Sequence, residues 1–195
     1  MIINIIIFLI IFYAVTIKSR KSLHMLQQNL YNENNRYLKW LKQNRTQALK
    51  HYDVIGLILT IISLFTGNIL STILLVISAV IYLFDTEVIK YSIMIEKAKK
   101  PLVKTARVKR QILTLYILNI IPLILYIIFK SNAKVLIGLS SLLLVFNYYV
   151  VYLVKLINDP IEKSIYKKFW HMAEEKLASR KDLKVIGITG SYGKT

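Results

Sequence analysis

The residues best equipped for chemistry are Gly187-Ile188-Thr189-Gly190-Ser191-Tyr192-Gly193-Lys194-Thr195. Binding a phosphate needs backbone N–H groups converging on one centre, with side chains small enough to let the anion approach. Gly190 and Gly193 supply the backbone freedom, and Ser191 and Tyr192 lie between them in the loop. Lys194 would set its ammonium near the β- and γ-phosphates of ATP, and the Thr195 hydroxyl would ligate Mg²⁺. The strict phosphate-loop pattern places a glycine five residues before Gly193. That position holds Ile188, and the glycine stands one earlier, at Gly187.

Such a loop needs a strand to deliver it and a helix to follow it, because the helix N-terminus presents its positive end to the phosphates. The apolar run Lys184–Thr189 reads as that strand, so 184–195 is expected to open an α/β ATP-binding domain. The helix that should follow would begin after Thr195, so the chain is expected to be the front piece of a longer protein. Upstream, residues 158–183 read as a linker helix. Asp159 fits its N-cap, Pro160 its first position and Glu162 the third, a capping-box-like start. Ile161, Ile165, Phe169, Met172 and Leu177 would form its apolar side.

Everything before residue 158 has the character of a membrane region. Hydrophobic residues make up 55% of the chain and the formal charge is +17, with a mean hydropathy of +0.50. Soluble basic proteins rarely combine these, because their charge displaces apolar content. The basic residues alternate with long apolar runs, which argues against a nucleic-acid-binding face. The absence of Cys excludes disulfides, zinc-thiolate sites and thiol catalysis. His24, His51 and His171 show no metal-ligand spacing.

Five spans are expected, at about 1–17, 54–65, 69–84, 111–129 and 135–154. The apolar run 54–84 is too long for one crossing and is interrupted by Thr66-Gly67-Asn68, so it reads as a hairpin. Pro122 should kink the fourth span. Segments 18–53 and 85–110 carry eight Lys/Arg each and the tail from Lys155 carries nine, against two in 130–134. The positive-inside rule sets the three rich segments in the cytoplasm, with the carboxyl terminus and its phosphate loop inside. The spans hold no ionisable residue, which favours an anchor over a carrier. Asn119 and Asn147 stand out as polar groups suited to interhelical hydrogen bonds.

The expected fold class is therefore an all-α multi-pass membrane domain, residues 1–157, followed by the first strand and phosphate loop of a truncated α/β ATP-binding domain. Between the first two spans, Leu23, Leu26, Leu30, Tyr37, Leu38 and Leu41 recur at helical intervals with Lys and Arg opposite. This suits amphipathic helices lying on anionic membrane lipids, and equally a cytoplasmic helix packed on a neighbouring domain.

The displaced glycine is informative. The run Gly187–Thr195 resembles the ATP loop of the Mur ligases, whose form is Gly-x-x-Gly-Thr/Ser-x-Gly-Lys-Thr/Ser, and every fixed position is met. Ser191 after the second glycine is most similar to the MurF type, UDP-N-acetylmuramoyl-tripeptide–D-alanyl-D-alanine ligase. Asp159–Glu162 and Leu183–Val185 resemble the lead-in of membrane-tethered ligases of that type; Arg36–Leu41 and Lys100–Val103 do so more diffusely. The resemblance implies an ATP-dependent peptide ligase of peptidoglycan precursor synthesis. Its substrates would be UDP-MurNAc-tripeptide and D-alanyl-D-alanine, joined through an acyl phosphate. ATP and Mg²⁺ would be held by Gly190, Ser191, Tyr192, Gly193, Lys194 and Thr195, with the catalytic groups beyond the chain. Two other readings stay open: a docking module for cell-wall synthesis proteins, and a polyglutamate- or cyanophycin-type ligase of the same superfamily.

Overall fold

The computed structural model describes residues 2–84, 101–129 and 132–180. All regular structure among them is helical. α1 spans Ile2–Gln28, α2 Arg36–Gln43, α3 Arg45–Ala48, α4 His51–Phe65 and α5 Asn68–Phe84. After the undescribed stretch come α6, Ala106–Phe129, α7, Ala133–Val145, and α8, Asn147–Ala178. The chain forms two compact units, Met1–Asn158 and Asp159–Thr195.

In the first unit α1 is the common partner, packed against α5, α6 and α7, while α4 pairs with α5 and α7. One apolar core joins Ile7, Ile11 and Val15 of α1 to Leu75 and Ala79 of α5 and Ile137 and Leu144 of α7. A second joins Leu23 and Leu26 of α1 to Tyr37 and Leu41 of α2, Leu115 of α6 and Tyr148 and Val151 of α8. The amphipathic pattern around residues 23–41 is thus spent mainly inside the protein: Leu23, Leu26, Tyr37 and Leu41 are buried and only Leu30 of that set is exposed. Burial pushes the Tyr37 hydroxyl well above the usual phenol range, with Tyr149 adding to the effect. It therefore stays protonated and donates to the Tyr148 carbonyl at 2.9 Å.

The link from α1 to α2 is a tight 3-10 turn, Leu30–Asn35. Leu30, Tyr31, Asn32, Asn34 and Asn35 all have positive φ. Asparagine tolerates that left-handed region better than other non-glycine residues, which accounts for three of the five. Asn32 Oδ1 also accepts from the Leu38 amide at 3.1 Å. Gln27 fixes the lead-in to α6, donating to the Val103 carbonyl at 2.9 Å and accepting from its amide at 3.0 Å.

Beside the two apolar cores, this unit buries many polar side chains and exposes many large apolar ones. Ser63, Ser71, Ser78, Gln111 and Ser141 are fully buried, while Phe65 is 85%, Ile69 82% and Phe129 72% exposed. Several buried hydroxyls bond to carbonyls of their own helix, as Thr60 does to Gly56 at 2.9 Å and Ser140 to Leu136 at 2.9 Å. Small polar residues let helices approach closely where the surroundings are apolar; the side chains of Ser71 and Gln111 are buried without a hydrogen-bond partner among the described residues.

The structure corrects the expected fold class. No strand occurs among the described residues, so they form an all-α structure with no α/β layer; the strand expected at 184–189 lies outside them. Five crossings reduce to two, or three if a bent pair counts as one. α1 and α6 are long and apolar enough to cross a membrane. α4 and α5 break at Thr66–Gly67, where the turn residues predict it, but have only 15 and 17 residues. At 1.5 Å per residue they reach roughly 22 and 26 Å, short of about 30 Å of hydrocarbon. The expected span 135–154 is broken at Phe146, where α7 and α8 meet at 81°. The first span is longer than expected, since the helix continues through its basic end to Gln28.

The expected linker-helix start at Asp159 is also absent. α8 runs through Pro160 without a break. Proline removes one helical hydrogen bond, yet propagation on both sides carries the helix across it. In the second unit the described chain is the remainder of α8 and its frayed end. There Trp170 Nε1 donates to Glu174 Oε1 at 2.5 Å, and His171 Nδ1 lies 3.2 Å from Glu174 Oε2.

Gly56 fixes the α4–α5 contact. A Cβ built there would lie 2.6 Å from Cε1 of Tyr82, whose side chain is fully buried and has no room to withdraw. Gly56→Ala should cost about 1–3 kcal/mol through overpacking, read as a lower thermal midpoint by size-exclusion after heating in detergent. Tyr82→Leu in the same background should recover part of the loss. An unchanged midpoint for the single variant would contradict the close packing.

Candidate functional site

Every residue assigned to the phosphate loop, Gly190, Ser191, Tyr192, Gly193, Lys194 and Thr195, lies outside the described residues. The polar chemistry that the structure does describe lies in the membrane-type bundle, at a junction none of the expected sites includes.

α1 contributes Lys18, Ser19 and Ser22, all buried. Ser22 lies three residues after Ser19 and four after Lys18, so it shares a helix face with each of them. Lys18 Nζ forms an ion pair with Asp53 Oδ2 of α4, and both side chains are fully buried. Ser19 Oγ accepts from Asn147 Nδ2 of α8 at 2.8 Å and from Asn119 Nδ2 of α6 at 3.4 Å. The Ser22 hydroxyl lies 2.5 Å from Asn147 Oδ1 and 2.6 Å from the Lys18 carbonyl, so its single hydrogen is shared. Farther along α6 and α8, Asn158 Nδ2 donates to Thr114 Oγ1 at 3.0 Å and to the Val154 carbonyl at 2.9 Å. Four helices are thereby tied to one another through polar side chains.

Asn119 and Asn147 do make the interhelical bonds that their positions within apolar runs predict. Lys18 and Asp53 escape the sequence reading for a definite reason. Each lies one residue outside an apolar run and reads as a loop charge. Both helices extend past the apolar runs, and that extension carries the two charges into the interior.

The junction suits structure better than catalysis. The cavity beside it, lined by Thr16, Ser19, Arg20, Leu23, Ile112, Leu115, Tyr116 and Asn119, measures ≈ 20 Å³, room for about one water molecule. A second hollow, between α6, α7 and α8, is lined by Leu118, Ile121, Pro122, Leu125, Leu139, Leu142, Leu143, Val150 and Leu153, with no charged group to orient a substrate. Among the described residues no three His, Asp or Glu side chains are grouped to hold a metal.

No family model, curated protein or solved structure matches this chain. Its function is therefore argued from its own residues.

A buried ion pair costs desolvation, and losing one partner strands the other charge. Asp53→Leu alone should destabilise the protein by ~3–5 kcal/mol. The paired change Lys18→Met with Asp53→Leu should return stability to within ~1 kcal/mol of the parent or raise it. Thermal midpoints in detergent for the two singles and the double form the cycle; equal, additive losses would show that the two charges do not interact.

Proposed function

We propose that this chain is the membrane-anchored portion of an ATP-dependent Mur-type ligase that adds D-alanyl-D-alanine to a UDP-MurNAc-tripeptide. The observation that carries the reading is the run Gly187–Thr195, which meets each fixed position of the Mur-ligase ATP loop, including the glycine displaced from the general pattern. In the reaction the loop would hold ATP, with the Thr195 hydroxyl on Mg²⁺ and Lys194 neutralising charge as the γ-phosphoryl moves. The substrate carboxylate takes that phosphoryl group to give an acyl phosphate and ADP. The amine of D-alanyl-D-alanine then attacks the acyl carbon, loses a proton and expels phosphate as the amide forms.

The anchoring role is supported by the large apolar side chains exposed on the first unit and by two helices long and apolar enough to cross. The distribution of basic residues supports an orientation. α4 and α5 fold back at Thr66–Gly67, so the chain returns to the side it left whatever depth the hairpin reaches. Lys134 Nζ donates to the Thr66 carbonyl at 3.3 Å, which sets the hairpin tip beside the start of α7. The turn between α6 and α7 would then face outside, with the basic segments 18–53 and 85–110 and the carboxyl-terminal loop in the cytoplasm, where ATP is available.

In the protein that carries this chain, ATP hydrolysis should require UDP-MurNAc-tripeptide and D-alanyl-D-alanine together. Lys194→Ala should lower that turnover by ~100-fold or more. Turnover that survives the substitution, or that ignores both substrates, would refute the assignment.

The chain has no native Cys, so single introduced cysteines report topology cleanly. Asn132→Cys should react with an impermeant maleimide in intact cells, and Thr46→Cys only after permeabilisation. Labelling of Thr46→Cys in intact cells would reverse the orientation.

A further inference from the structure

α2 and α3 border a groove that neither the bundle nor the proposed ligase chemistry uses. It measures ≈ 580 Å³ and is lined by Asn35, Leu38, Lys39, Leu41, Lys42, Arg45, Leu49 and Tyr149. Its two kinds of wall differ sharply. Leu38, Leu41 and Leu49 with the ring of Tyr149 make an apolar surface. Lys39, Lys42 and Arg45 are exposed, and among the described residues their side chains have no ion-pair or hydrogen-bond partner.

We propose that this groove is a binding site for one anionic phospholipid, with its phosphate between Lys39, Lys42 and Arg45 and an acyl chain along Leu38, Leu41, Leu49 and Tyr149. The inference rests on the membrane part of the reading above and not on the ligase part. Charge complementarity selects the headgroup: three cations near one another repel unless an anion joins them, and guanidinium and ammonium groups both bind phosphate. The apolar wall selects a lipid over a free phosphate, because a soluble anion would leave that wall uncovered. The site also differs from general adsorption on an anionic leaflet. The bundle covers Tyr37 of α2 fully, whereas Leu38 and Leu49 at the groove stay partly exposed.

Trp40 reports on the groove from the helix that carries Lys39 and Leu41. Its ring lies 5.6 Å from that of Tyr148, next in sequence to Tyr149. With Trp170→Phe, it is the one tryptophan left in the chain. The full chain in this background is reconstituted in phosphatidylcholine nanodiscs with increasing phosphatidylglycerol, one lipid at a time carrying brominated acyl chains. Brominated phosphatidylglycerol should quench Trp40 at a lower mole fraction than brominated phosphatidylcholine. Lys39→Gln, Lys42→Gln and Arg45→Gln together should reduce that preference by ~10-fold or more. The triple variant Lys163→Gln, Lys167→Gln, Lys168→Gln should keep it.

Equal quenching by both lipids, a preference that survives the groove variant, or one lost equally in the α8 variant would overturn the site. So would displacement of the lipid by millimolar glycerol phosphate, which would show a free-phosphate site. Failure of the chain to enter nanodiscs would overturn the membrane reading and the groove with it. Entry without selective quenching would overturn the groove alone.

Discussion

The bundle depends on one constraint: a polar group surrounded by apolar helices has to find its partner inside the protein. The outer faces of α1, α4, α5 and α6 are rich in exposed isoleucine, leucine and phenylalanine. In surroundings that match those faces, apolar contact between helices gives little net drive to associate, and packing and hydrogen bonds take over. The junction at Lys18, Ser19 and Ser22 meets the constraint by drawing on three further helices. Asp53 comes from α4, Asn119 from α6 and Asn147 from α8. Slide α1 by one residue and Lys18 leaves Asp53 while Ser19 leaves both asparagines. The polar contacts therefore fix the register that apolar side chains alone would leave loose, a use of buried charge for specificity more than for stability.

The same constraint explains the break between α7 and α8. At Phe146 the chain turns by 81°, and the next residue is Asn147, whose amide is spent on Ser19 and whose oxygen faces Ser22. The asparagine anchors the start of α8 to α1, so the bend is held by side-chain bonds across the bundle. From there Tyr148, Val151, Val154 and Asn158 recur at three- and four-residue intervals and are buried, an inward stripe of helical period.

Much of this was legible in the sequence, unevenly. The apolar runs located α4, α5 and α6, and Thr66-Gly67 marked the hairpin because turn residues interrupt an otherwise unbroken run. Asn119 and Asn147 announced interhelical bonds because each is a carboxamide in the interior of an apolar run. The limits were physical too. Hydropathy measures where apolar residues stop, but a helix stops only where its hydrogen bonds do. α1 therefore outruns its apolar segment by a stretch that includes Lys18, Ser19 and Ser22. Asp159-Pro160 has the chemistry of a helix start, yet a helix already propagating from Asn147 tolerates a missing bond more readily than it nucleates afresh. The run 135–154 is apolar throughout, and nothing in its hydropathy distinguishes a straight helix from one bent at Phe146. The phosphate loop stays a statement about sequence, since its residues lie beyond those described.

The use of cations separates the structural from the spare. Net charge was read first as a topology signal, and for several residues it has a second purpose. Lys18 is consumed by Asp53. Arg107 lies 3.9 Å above the centre of the Tyr31 ring, a cation–π contact that joins the first turn of α6 to the turn before α2. Lys134 reaches the hairpin tip. Arg20, Lys21, Lys50, Arg110 and Lys155 each have an interaction as well. Topology alone would be satisfied by basic residues scattered anywhere between the apolar runs. Lys39, Lys42 and Arg45 are instead gathered within two turns of chain, on α2 and α3, beside an apolar wall. A charge that serves only orientation has no reason to sit next to leucines; one that meets a lipid phosphate does.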